Sequence, residues 1–130
     1  MELKHESDVV MARLAGRDTA RRLGFGSADQ TRLATAISEL GRSIVQNKGS
    51  GVCLIRDKSS KDVIRVQVVV EGHGPGIPDI DQALTEGRDP GAGLPAAKRL
   101  MQEFNIESEP GHTKITIAMA RRRQKARREL

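Results

Sequence analysis

The sequence predicts an α+β fold: a two-layer sandwich with helices on one face of a mixed, mostly antiparallel sheet. Two stretches of three-and-four spacing near the start read as helices, and two pairs of β-branched runs around polar turns read as hairpins. A third helical stretch between the hairpins gives the order helix, helix, hairpin, helix, hairpin, which suits such a sandwich.

The first helix follows Asp8, read as its N-cap. Val9, Ala12, Gly16, Ala20 and Leu23 make one apolar face of small residues, and Gly24 ends the helix. Ser27 to Gln30 reads as a capping box, with serine first and glutamine three later. Leu33, Ile37, Leu40 and Ile44 form the core face of the second helix, and Ala36, Glu39 and Ser43 lie on an adjacent face. Val52 to Arg56 and Val63 to Val70 read as a hairpin around the polar turn 57–62. The second of these strands is rich in β-branched residues. A glycine and proline cluster follows, then a short helix over 79–86 and a second flexible stretch from Gly87 to Gly93. Pro95 suits a helical first turn, with Ala97, Leu100, Met101 and Phe104 at helical spacing. Ile106 to Glu109 and Thr113 to Met119 close the fold around a Pro110-Gly111 turn.

The chain of 130 residues is one domain's worth. Only Phe25 and Phe104 supply large rings, so the core is aliphatic. No apolar run approaches the ~20 residues needed to cross a bilayer, and the polar start from Met1 to Asp8 does not read as a signal peptide. The lone Cys53, in an apolar run, suits a buried thiol in a reducing cytoplasm. The net charge of +5 resides in residues 121–130, which hold six Arg/Lys and one Glu. Residues 1–120 hold 16 basic and 16 acidic side chains. The division is therefore a neutral domain over 1–120 and a basic, disordered tail over 121–130. This argues against nucleic-acid binding by the domain. The tail itself has no aromatic residue for stacking, and a solvated role fits it best.

Three segments carry the chemistry. Gly72, Gly74 and Gly76, with Ile77, follow a buried strand, where glycines let backbone N–H groups approach a ligand. A tight turn explains the same glycines. The segment has no Walker lysine and opens no long helix. Gly91, Ala92, Gly93 and Leu94 precede the Pro95 helix, whose first N–H groups suit an anion. A linker with a capping turn is the plainer reading of that stretch. Glu39 is placed as a general base and Arg42 as a phosphate partner, although an i,i+3 surface ion pair has the same spacing.

The order and spacing of these segments resemble the RsbT-like switch kinases and, more distantly, the SpoIIAB and RsbW anti-sigma factors. These belong to the GHKL superfamily with gyrase, Hsp90 and histidine kinases. The resemblance runs from about Asp8 to Ala118. It rests on Leu23-Gly24-Phe25-Gly26, the stretch from Thr35 to Leu40, Gly74 to Ile80, Gly91 to Pro95, Lys98 to Met101, and Glu103-Phe104. It implies the Bergerat fold, binding of ATP with magnesium, and phosphorylation of a serine on a STAS-domain antagonist or scaffold protein. A PP2C-type phosphatase is a second implied partner. Glu39 matches the general base, Gly74 and Gly76 the adenine-side glycine box, Gly91 to Leu94 the phosphate-side box, and Thr113 a threonine near the adenine.

Two positions depart from the family pattern. Ser43 stands where the family has its magnesium-binding asparagine, and would hold the ion weakly or through water. Gly72 stands where an aspartate accepts a hydrogen bond from the adenine amino group. The neighbouring Glu71 points to the other strand face. The stretch from Thr85 to Gly91 is also shorter than the family's. An unpartnered adenine edge costs on the order of 1–3 kcal/mol, or roughly tenfold to over a hundredfold in affinity. The sequence therefore supports a serine kinase with a degenerate nucleotide site, or a pseudokinase that binds its partners without turnover.

Overall fold

The computed structural model describes residues 1–46, 49–74 and 93–123. Its elements are β1 (Glu2–Leu3), α1 (Glu6–Leu23), α2 (Ser27–Gln46), β2 (Gly51–Asp57), β3 (Val63–Gly72), α3 (Leu94–Leu100), β4 (Glu103–Glu109) and β5 (His112–Arg122). The strands form one sheet in the order β1-β2-β3-β5-β4. Every pairing among them is antiparallel. The sheet expected to be mixed is thus antiparallel throughout the described residues.

Alternation along the strands fixes the layers. Ile64, Val66, Val68 and Val70 of β3 and Ile115, Ile117 and Met119 of β5 are buried. With Leu33, Ile37, Leu40 and Ile44 of α2 they make one aliphatic core. The predicted small-residue face of α1 is correct. A Cβ on Gly16 would collide with Ile37, and one on Gly41 would reach Val9 at 3.1 Å. The small residues therefore bring α1 close against α2.

Several boundaries differ from expectation. Asp8 lies inside α1, and His5 is the N-cap. The Asp8 carboxylate instead accepts from the backbone N–H groups of Lys4 and His5, at 2.8 and 3.0 Å. Ser27 is likewise the first residue of α2 and not its cap. Gln30 turns to donate to the Phe25 carbonyl at 2.9 Å. Phe104 sits in β4, because α3 ends at Leu100. β1 has no counterpart in the sequence reading.

The domain does not stop at residue 120. Arg121 and Arg122 continue β5 opposite Ile64 and Val63. The Arg121 guanidinium donates twice to the buried Asp29 carboxylate, from Nε at 2.8 Å and Nη2 at 2.9 Å. Arg32 adds a third bond at 2.8 Å. These arginines, Arg121 foremost, hold the Asp29 carboxyl below its ordinary range. The remainder of the expected tail, 124–130, and the expected helix over 79–86 lie outside the described residues.

Candidate nucleotide and acceptor site

α2 supplies one wall of the site. Its apolar stripe faces the sheet, which turns Glu39 and Ser43, one helical turn apart, along its flank. Both are half-buried. Glu39 Oε1 accepts from Arg42 Nη2 at 2.9 Å, so the predicted pair forms. The pair is partly screened, since Arg42 is 43% exposed and Glu39 28%. Arg42 therefore orients the carboxylate more than it stabilises the fold.

The second wall is the start of α3. Gly93 is its N-cap and Pro95 lies in its first turn. A Cβ on Gly93 would lie 2.7 Å from the Glu39 carbonyl oxygen, 2.8 Å from Glu39 Oε2 and 2.9 Å from Glu39 Cβ. Only glycine permits this approach, and it places the chain entering α3 directly on the Glu39 side chain. Leu94 is fully buried in the core. Its side chain is a packing residue, and only its backbone can serve a ligand.

The floor is the end of β3. Gly72 lies between Gly51 of β2 and Thr113 of β5. It is the last of the residues on the helix-facing side of the strand. A Cβ there would stand 2.6 Å from Ile44 Cδ1. Gly72 is therefore packed against an α2 core residue, a relation that sequence spacing does not reveal. Thr113 is buried, and its hydroxyl shares a 2.7 Å hydrogen bond with Ser108 Oγ.

Glu71 lies on the opposite face, as expected. Pairing is regular through this stretch of β3, with no bulge to turn the side chain inward. Its carboxylate accepts from His112 Nε2 at 2.9 Å. This contact is the main reason the carboxyl is held below its ordinary range. The His73 ring sits 5.9 Å from that of His112. This histidine and carboxylate group beside the first glycine segment is absent from the sequence reading, because the end of β3 and the start of β5 assemble it. Past β3 the backbone stays anchored, with His73 N donating to Ser50 O at 2.8 Å. Gly49 packs on Gly74 closely enough that a Cβ would sit 3.2 Å from its Cα.

The structure thus brings Glu39, Arg42, Ser43, Gly72, Gly74, Gly93 and Thr113 to one end of the sandwich. Gly76, Ile77, Gly91 and Ala92 lie outside the described residues.

Over 110 residues the chain is 44% identical to the serine/threonine-protein kinase RsbT of Bacillus subtilis. That alignment covers 82% of this chain and 83% of the relative. The chain belongs to the RsbT family of serine/threonine-protein kinases. No protein-family model matches it. Among solved structures, it is similar to the catalytic domain of the histidine kinase ThkA, with a TM-score of 0.57 and 15% identity over 92% of this chain and 93% of that one. It is also similar to the histidine kinase domain of a blue-light-activated kinase from Erythrobacter litoralis, with a TM-score of 0.53 and 23% identity. That match covers 71% of this chain and 44% of the other, so the chain spans less than half of that protein. These likenesses show the GHKL-type fold. The identity to RsbT carries the family.

Proposed function

We propose that this chain is a switch kinase that binds ATP with magnesium beside α2 and phosphorylates a serine of a STAS-domain partner. The contact of Gly93 on Glu39 carries the reading. It puts the carboxylate that would take the acceptor's proton against the segment that would meet the phosphates.

The residues fit the two ends of the nucleotide unequally. At the phosphate end, Gly93 leaves room for close backbone approach, and Glu39 and Ser43 offer oxygen donors one turn apart. Oxygen donors suit magnesium, which commonly keeps several of its waters. At the adenine end Gly72 offers no carboxylate and Ile44 occupies the space. Thr113 is the polar group that remains. Bound ATP would supply the phosphoryl group. Glu39 would accept the proton of the incoming serine hydroxyl at Oε2, while Arg42 holds Oε1 and fixes the carboxylate's direction. Arg42 would face phosphate charge as well.

The setting we propose is a cytoplasmic partner-switching pathway of the stress-response type, with a PP2C-type phosphatase as a second partner. No described helix is long and apolar enough to cross a membrane.

A second reading has its own support. The Gly72–Ile44 contact favours a pseudokinase that keeps partner binding without turnover. Incubation with labelled ATP, magnesium and a STAS-domain protein from the same organism separates the two. Label on the partner serine supports the kinase. Tight partner binding with no label on an intact serine supports the binding module.

A further inference from the structure

The core face of α1 is accounted for by its packing on α2, but its outer face is not. Val10, Met11 and Leu14 are 43%, 57% and 51% exposed, where helix surfaces are ordinarily polar. Val10 and Leu14 are continued at helical spacing by Arg17 and Arg21, so apolar and cationic side chains form one stripe. Arg21 and Arg22 share the single carboxylate of Asp18. Among the described residues Arg13 and Arg17 have no ion-pair partner. The stripe therefore carries a cationic surplus beside its apolar end.

We infer that this stripe of α1 is the docking surface for the protein partner, and that the partner presents an apolar centre flanked by carboxylates. The occupant is the STAS-domain protein, so the inference rests on the partner proposed above. Charge complementarity selects an acidic protein surface. Three half-exposed side chains fall short of the ~800 Å² per partner that a standard stable interface buries. That favours a transient docking event over a permanent second copy. Location supports the assignment. Val9, next to Val10, packs on Gly41, two residues past Glu39 on α2. A partner seated on the apolar end of the stripe is thus one helix away from the carboxylate.

The test uses the full chain and a STAS-domain protein from the same organism, with affinity measured by calorimetry. Met11→Glu and Arg17→Glu should each weaken binding by ~tenfold or more with unchanged melting temperatures, because both side chains are exposed. Arg56→Glu, on β2, should leave binding unchanged. Wild-type affinity should fall as salt is raised. Full wild-type affinity in both α1 variants would overturn the docking surface and leave the partner reading intact. Absence of binding by the wild-type chain would overturn the partner reading, and this occupant with it. Two other outcomes would reassign the stripe: self-association in sedimentation that Met11→Glu abolishes, or retention on phosphatidylglycerol vesicles that Met11→Glu abolishes.

Discussion

The two ends of the proposed nucleotide site beside α2 differ. At the phosphate end, glycine at position 93 brings backbone onto Glu39, and Arg42 holds the carboxylate. At the adenine end, a Cβ on Gly72 would stand 2.6 Å from Ile44 Cδ1. The same residue type serves opposite purposes. Gly93 lets backbone close onto a polar side chain, whereas Gly72 lets the apolar core close over the end of β3. A side chain at position 72 would therefore have to displace the end of the Ile44 side chain.

Glu39→Gln tests the phosphate end most severely. It keeps shape and removes the proton acceptor. Phosphoryl transfer to the partner serine should fall by ~100-fold or more, with partner affinity unchanged. An unaltered rate would remove Glu39 from the chemistry. At the other end, Gly72→Asp alone should fail to raise ATP affinity, because its Cβ meets Ile44 Cδ1. Combined with Ile44→Val, which removes that atom, and Ser43→Asn, it should tighten Mg-ATP binding by about tenfold to a hundredfold. Calorimetry of the single and triple variants reads the difference.

Gly93→Ala probes the close approach itself. Its Cβ would press on the Glu39 backbone oxygen, which cannot rotate away. Overpacking of this kind costs about 1–3 kcal/mol, and a denaturant melt should show it. Asp29→Asn, at the far end of α2, should cost on the order of 1–3 kcal/mol at neutral pH without changing nucleotide affinity. Since Arg121 lowers the Asp29 carboxyl in the fold, its contribution is complete above the ordinary carboxylate range. It is lost as pH falls through the lowered value. The wild-type and Asp29→Asn stabilities should therefore converge in acid. The smallest effect concerns Cys53. Burial raises its thiol to about 11, and iodoacetamide at mildly alkaline pH should leave it unmodified in the folded protein.

What the sequence made legible was local. The apolar periodicity of Leu33, Ile37, Leu40 and Ile44, and the two β-branched hairpins, gave the layers. Gly24 ends α1 in the left-handed conformation its position implied, with φ at 107°. Beyond the two helix caps, the misreadings share a long-range cause. Phe104 fits helical spacing after Leu100 and also the inward side of β4, and only strand pairing decides. Arg121 looked like part of a solvated tail, because the carboxylate that receives it is 92 residues away. β1 is two residues long, too short for periodicity, and exists through its pairing with β2. At the site, the residue types at 39, 43 and 72 were readable. The Gly93–Glu39 and Gly72–Ile44 contacts were not, since each joins elements whose approach is set by the whole sandwich.

The most direct test of an intact phosphate end beside a closed adenine end is a calorimetric comparison of Mg-ATP with Mg-GTP on the wild-type chain. If the base is unread, the two should bind with affinities within about threefold of one another, well under the tenfold that 1.4 kcal/mol supplies. A preference for ATP of a hundredfold or more would contradict the closed adenine end. Absence of binding by either nucleotide would contradict the intact phosphate end.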